Sequence, residues 1–208
     1  MGELPDILRM SGRTDWVQRG EGRITSVYRP AMVEIDDFAG ICLIRNLSPR
    51  GLAAQIYASF AEGAGIVIHF DSDFAISGTV AWSKEGIVGV QFYDELDVDK
   101  MLRATGSESE AGRTARSPRI PIDCETIINF EGRSLPVTVR DISQRGVKVS
   151  GVHLSMETEV SIDLWSLGAR KALVRWQRNG STGLNFHSQL PFEQFAGWLI
   201  DTQTTVRT

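Results

Sequence analysis

Apolar and polar side chains alternate with period two, the pattern of a sheet with one buried face, in Val137-Thr-Val139, Val147-Lys-Val149 and Val160-Ser-Ile-Asp-Leu164. Glu131-Gly132, Arg145-Gly146 and Asn179-Gly180 punctuate these stretches, and the Asn-Gly ahead of Ser181-Thr-Gly-Leu-Asn-Phe186 predicts a tight hairpin. The first half alternates less cleanly, yet Gly65-Ile-Val-Ile-His-Phe70, Gly78-Thr-Val-Ala-Trp82 and Ile87-Val-Gly-Val-Gln-Phe92 read as strands in the same order. Each half then changes period. Leu96, Met101 and Leu102 form one face of a short helix, and Phe192, Phe195, Trp198 and Leu199 fall at helical spacing. Short strands broken by turns and closed by a helix predict two small antiparallel barrels.

The two halves are copies of one another. Val80-Ala-Trp82-Ser-Lys-Glu-Gly86-Ile-Val-Gly89-Val-Gln-Phe92 matches Val174-Arg-Trp176-Gln-Arg-Asn-Gly180-Ser-Thr-Gly183-Leu-Asn-Phe186, with Trp-to-Gly spacing of 7 and Trp-to-Phe spacing of 10 in both. Upstream, Asn46-Leu-Ser48-Pro-Arg-Gly51 pairs with Asp141-Ile-Ser143-Gln-Arg-Gly146, 36 and 35 residues before the tryptophan. Arg23 and Arg29 stand six apart, as do Arg113 and Arg119. Thr105-Gly-Ser-Glu-Ser-Glu-Ala-Gly112 lacks large apolar residues and has the composition of a flexible linker. The expected organisation is an extension over residues 1–22, a first domain over 23–104, a linker over 105–112 and a second domain over 113–208. Trp82, Trp176, Phe92 and Phe186 are expected in the core or at the barrel ends, because burying such rings is worth several kcal/mol. Trp16, in a charged stretch of the extension, is a candidate anchor to a partner or to the first domain.

Composition narrows the function. Of 208 residues, 42% are hydrophobic and 23% charged, enough for packed cores over most of the length. The longest run without a polar residue covers residues 38–44, whereas a membrane helix needs about 20, so no membrane span is expected. The first residues lack the basic flank and apolar core of an export signal, which predicts a cytoplasmic protein. On that reading the acceptor patterns Asn46-Leu-Ser48 and Asn179-Gly-Ser181 carry no glycan, and Cys42 and Cys124 are buried thiols rather than a disulfide or a zinc site. His69, His153 and His187 are scattered, with neither metal-ligand spacing nor a nucleophile motif nearby; no metal site and no catalytic residues are expected. Net charge is −4, split into −5 for residues 1–103 and +1 for 104–208. The second half is thus expected to be the better anion binder, and a pI near 5.4 argues against DNA or RNA as partner.

An arginine-containing stretch, then [Asp/Asn]-x-Ser-x-x-Gly, then a hairpin ending in Gly-[Val/Leu]-x-Phe resembles the PilZ family, and here the pattern occurs twice, over about residues 23–96 and 113–199. The resemblance implies six-stranded barrels, often with a C-terminal helix, and in many members a receptor for cyclic di-GMP. The family's binding signature joins Arg-x-x-x-Arg to [Asp/Asn]-x-Ser-x-x-Gly. Guanidinium groups make paired hydrogen bonds to phosphate or to the guanine O6/N7 edge and stack on purines. An acid or amide engages the guanine N1/N2 edge, Ser adds a hydrogen bond, and Gly is expected to supply a positive φ beside the ligand.

In the second copy Asp141, Ser143 and Gly146 match, and Arg119 takes the last arginine position; Ala115 stands where the first arginine belongs, with Arg113 and Arg116 as neighbours able to substitute. In the first copy Asn46, Ser48 and Gly51 match, Arg29 is assigned the last arginine position, and Thr25 replaces the first. The favoured expectation is a receptor that binds cyclic di-GMP in its second domain, orders the arm of residues 113–119, and so reorients the barrels toward a protein partner. The alternative is a ligand-independent interaction adaptor that has lost nucleotide binding. Oligomeric state is open.

Overall fold

The computed structural model describes residues 25–71, 74–104 and 117–205 and contains two closed six-stranded antiparallel barrels in tandem, each followed by a helix. The first barrel comprises β1 (Thr25–Ile35), β2 (Phe38–Ser48), β3 (Gly51–Gln55), β4 (Gly65–His69), β5 (Ala75–Lys84) and β6 (Ile87–Phe92), then α1 (Val98–Ala104). The second comprises β7 (Ile120–Phe130), β8 (Arg133–Ser143), β9 (Gly146–Ser150), β10 (Glu159–Leu164), β11 (Gly168–Arg178) and β12 (Ser181–Phe186), then α2 (Phe192–Thr205). Both sheets run in the same order, β1-β2-β3-β6-β5-β4 and β7-β8-β9-β12-β11-β10. The extension with Trp16, the 105–112 linker, Arg113 and Arg116 lie outside the described residues.

Turn chemistry closes the hairpins. Asn179 and Gly180 have φ of 51° and 71°, Glu131 and Gly132 47° and 73°, and Glu85 and Gly86 52° and 76°, the paired left-handed residues of tight turns whose twist matches that of the strands. Bulges fall at equivalent places in both copies: Ser26/Arg29 and Pro121/Cys124 on the first strands, Ile44/Asn46 and Val139/Asp141 on the second. Each second-strand bulge places two consecutive residues outward between buried ones: Arg45 and Asn46 between Ile44 and Leu47, Arg140 and Asp141 between Val139 and Ile142. The signature Asn or Asp thus owes its outward aim to a backbone irregularity.

Phe92 and Phe186 are buried as expected, but the two tryptophans are not core residues. Trp176 pairs with Gly183 across the β11–β12 bulge, and a Cβ on Gly183 would lie 2.1 Å from its indole; Trp82 covers Gly89 in the same way. Trp176 remains 37% exposed. The seven-residue Trp–Gly spacing records a cross-strand partnership on the outer face, in which the bare glycine supplies the bed for the ring. Of the two thiols, Cys42 is fully buried and Cys124 only half-buried.

Val33, Ile44, Leu52, Ile68, Val80 and Val88 fill the first barrel, and Leu96, Val98 and Met101 cover one end. The second core gathers Ile128, Val139, Val147, Ile162 and Val174 under Phe195, Trp198 and Leu199 of α2. The barrels share packing. Ile41 of β2 is buried in the second core, with Met32 and Ala39 against it. β3 pairs with β2 only from Leu43 onward, which leaves the edge of β2 at Ala39 without a strand partner. The Gln203 carboxamide takes that place: Ala39 N donates to Oε1 at 2.9 Å, and Nε2 donates to Ala39 O at 2.6 Å. A side chain of α2 thereby caps an otherwise open sheet edge.

Candidate functional site

The outer end of each second strand and the loop after it carry the signature residues. In the second barrel, Asp141 lies level with Pro121 of β7 and Lys148 of β9. Its carboxylate is engaged on both oxygens: Arg119 Nε donates to Oδ1 at 2.5 Å and Lys148 Nζ to Oδ2 at 2.6 Å. Only 15% of the Asp141 side chain is exposed. Ser143 Oγ donates to Gly146 O at 3.2 Å and accepts from Arg145 N at 3.3 Å, locking the turn internally. Of the residues proposed for this copy, the fold brings Arg119, Asp141, Ser143 and Gly146 together; Arg113 and Arg116 fall outside the described residues.

In the first barrel Asn46 is exposed and uncharged, and Ser26 Oγ donates to its Oδ1 at 3.4 Å. Ser48 Oγ donates to Gly51 O at 2.9 Å. Neither signature glycine has positive φ. Their role is close approach: a Cβ on Gly51 would lie 2.4 Å from Val90 O, and one on Gly146 2.2 Å from Leu184 O. The expected left-handed turn is therefore replaced by a tight strand contact, β3 against β6 and β9 against β12.

Register corrects the placing of Arg29. Pairing of Thr25 with Leu47 corresponds to that of Ile120 with Ile142, and Arg29 opposite Ile44 corresponds to Cys124 opposite Val139. Arg29 is thus the counterpart of Cys124, well inside the strand. Its Nη2 donates to Phe70 O at 3.3 Å, away from the Asn46 loop, and burial lowers its pKa against the opposing pull of Asp71. The spacing to the second motif held the signal: Arg29 precedes Asn46 by 17 residues, whereas Arg119 precedes Asp141 by 22. Arg23 precedes Asn46 by 23, and Arg19-Gly-Glu-Gly-Arg23 spells Arg-x-x-x-Arg in full immediately before β1. Matching the arginine pairs to each other, rather than to the Asn46 motif, hid this.

Residues 17–105 match the PilZ domain family model. The first barrel is a PilZ domain. The matched span takes in Arg19, Arg23, the Asn46–Gly51 motif and α1, so the PilZ match lies on the first barrel. No curated relative matches the sequence. Similar solved structures include the Borreliella burgdorferi PlzA protein in complex with c-di-GMP (14% identity, 88% of this chain and 94% of that one, TM-score 0.35). The Bacillus subtilis inhibitor of motility MotI/DgrA is similar at 12% identity (88% and 100%, TM-score 0.34), as is Escherichia coli YcgR in complex with c-di-GMP at 13% (86% and 86%, TM-score 0.32).

In the PilZ barrel the signature loop is tied to the segment between the last strand and α1. Phe92 N donates to Arg50 O at 3.0 Å and Leu96 N to Pro49 O at 2.7 Å; Arg50 Nε meets Glu95 Oε1 at 2.7 Å. The second barrel repeats the backbone links with Phe186 N to Arg145 O and Leu190 N to Gln144 O, and Gln144 Nε2 adds a bond to Leu190 O at 2.9 Å. A second connection leaves the site through side chains. Arg45, beside Asn46, donates to Gln55 Oε1; Gln55 Nε2 donates to Tyr57 Oη at 2.8 Å; Tyr57 Oη donates to Glu193 Oε1 at 3.1 Å, and its ring packs on Phe192 at 6.1 Å. Burial and the Glu193 carboxylate both raise the Tyr57 pKa, so the phenol stays a donor. Among the described residues no three His, Cys, Asp or Glu side chains converge as metal ligands, and no helix is long and apolar enough to cross a membrane.

Proposed function

We propose that the protein is a cyclic di-GMP receptor whose first barrel takes the nucleotide, with Arg19 and Arg23 on its phosphates and guanine edge and with Asn46 and Ser48 on the base. One contrast carries this reading: Asn46 is exposed and uncharged, while Asp141 at the same place in the second barrel is neutralised on both oxygens. A ligand entering the second site must first break two charge-assisted bonds, together worth about 1 kcal/mol with their cations partly exposed; a ligand entering the first meets no such cost. The complete Arg-x-x-x-Arg pattern before β1 supports the same barrel.

The signal passes to the second barrel, and from it to a protein partner. Asn46 and the adjacent Arg45 stand at the start of the Arg45–Gln55–Tyr57–Glu193 connection, so a nucleotide that draws Arg45 toward itself removes the first link and loosens α2 from the PilZ barrel. The two barrels already share Ile41 and the Gln203 cap, so the change acts on an existing interface rather than on a free hinge. A second location is favoured by one observation: Arg119 meets Asp141, with Arg113 and Arg116 just upstream. On that reading Arg113, Arg116, Arg119, Asp141, Ser143 and Gly146 form the site. The adaptor reading fits the second barrel taken alone, since its signature residues satisfy one another.

Equilibrium dialysis of cyclic di-GMP against the full chain separates these. Saturable binding that is lost in Arg23→Ala/Asn46→Ala and kept in Arg119→Ala/Asp141→Ala is expected. The reverse pattern moves the site to the second barrel, and an absence of binding by the unsubstituted protein overturns the receptor reading.

A further inference from the structure

Resting on the receptor reading, we propose that Tyr28 and Arg45 form a separate purine-stacking subsite, beside the signature residues, that takes the second guanine of the cyclic dinucleotide. Tyr28 is 72% exposed on β1 and sits in the Ser26/Arg29 bulge opposite Arg45. The Arg45 guanidinium lies 5.1 Å from the Tyr28 ring centroid. Ser26 and Asn46 pair next to them on the same outer face, so Tyr28 stands on the cross-strand diagonal from Asn46, a separation of about 7–8 Å that an aromatic side chain reaches across. Cyclic di-GMP carries two guanines, and one Asn–Ser edge reads only one of them.

The repeat supplies an internal comparison. The register that equates Asn46 with Asp141 equates Tyr28 with Asp123, Arg45 with Arg140 and Gln55 with Ser150. There Arg140 forms an ion pair with Asp123 and donates from Nε to Ser150 Oγ at 2.8 Å. The arginine of the second barrel is paired with a carboxylate, and among the described residues no ring lies beneath it. The arginine of the first meets an amide and an aromatic face, and among the described residues no carboxylate pairs with it. Both groups suit a guanine: the phenol ring offers a stacking surface and the guanidinium a paired donor edge for O6 and N7. Adenine, with an amino group at that edge, loses the paired bond, so Arg45 also contributes to base selection.

Calorimetric titration of the full chain with cyclic di-GMP and with cyclic di-AMP tests this, each variant being checked by thermal melting. Tyr28→Ala is expected to weaken cyclic di-GMP binding about 5- to 150-fold, the range for loss of one base–aromatic stack, with Tyr28→Phe within about twofold of the unsubstituted protein. Arg45→Gln is expected to narrow the preference for the guanine over the adenine dinucleotide. Binding that survives Tyr28→Ala unchanged while Asn46→Ala abolishes it overturns the subsite and leaves the receptor reading intact. Absence of binding by the unsubstituted chain overturns both.

Discussion

Gly146→Ala is the substitution whose effect the geometry defines most sharply. A Cβ at this position would sit 2.2 Å from Leu184 O and 3.2 Å from the Asn185 Cα. Ordinary contact needs more than 3 Å, so β9 and β12 must part by about 1 Å where Leu184 pairs with Val147 and Asn185 with Gly146. One or two ladder bonds weaken at about 1 kcal/mol each, and forcing a methyl into a packed place adds about 1–3 kcal/mol. The narrower unfolded ensemble of alanine returns about 0.4–1 kcal/mol. The net loss is about 2–3 kcal/mol, equivalent to a Tm lower by roughly 10–20 °C for a barrel of this size. Urea unfolding followed by tryptophan fluorescence measures it, since Trp176 and Trp198 lie in this barrel and its helix. Gly197→Ala is the control: the position is inside α2 with nothing within 4 Å of an added Cβ, and the same chemical change there is expected to stabilise by up to about 1 kcal/mol. A Gly146→Ala protein within about 0.5 kcal/mol of the parent refutes the close-approach explanation, because that is the scatter of an unremarkable surface change.

Gln203→Ala removes both hydrogen bonds to Ala39; a loss of about 1–2 kcal/mol and faster amide exchange at Ala39 are expected, read by urea unfolding and hydrogen exchange. Asp141→Asn leaves the Arg119 and Lys148 charges without their acid; because both partners are partly exposed, about 1 kcal/mol of stability is expected to go, with nucleotide binding unchanged, as calorimetry can check. Burial pushes the Cys42 thiol from 9.0 up to about 12. The folded state therefore holds this proton more tightly than the unfolded chain, so its contribution is complete below pH 9 and declines as pH rises toward 12, by up to about 1.4 kcal/mol per pH unit. Cys42→Ala should accordingly lose less stability than the parent between pH 8 and pH 11, in chemical unfolding at each pH.

The strands that could be read from the chain were those with unbroken alternation, such as β9, β10 and β12, and the hairpins whose turns need two left-handed residues. β1, β2, β7 and β8 each carry a bulge, and one extra residue inverts the alternation, so their full lengths were hidden. The tryptophans were misplaced for a related reason: period two cannot say which face is buried, and a Trp opposite a Gly packs its ring outward along the sheet. Asn46, Ser48 and Gly51 were legible as a group because the loop is local. The arginine assignment was not, since equal spacing between arginines says nothing about register, whereas distance from the Asn46 motif does. Ile41 and Gln203 left no trace in the pattern. A helix side chain capping a strand edge 164 residues away in sequence depends on the packing of two domains, which local periodicity does not encode.

Hydrogen exchange of the full chain with and without saturating cyclic di-GMP tests the central claim most directly, because it reads both copies of the signature in one experiment. Slower exchange at Arg19–Arg29 and Arg45–Gly51, with the Asp141–Gly146 loop unchanged, is the result expected of a receptor that uses its first barrel. Protection at Asp141–Gly146 with none at Asn46–Gly51 would contradict it.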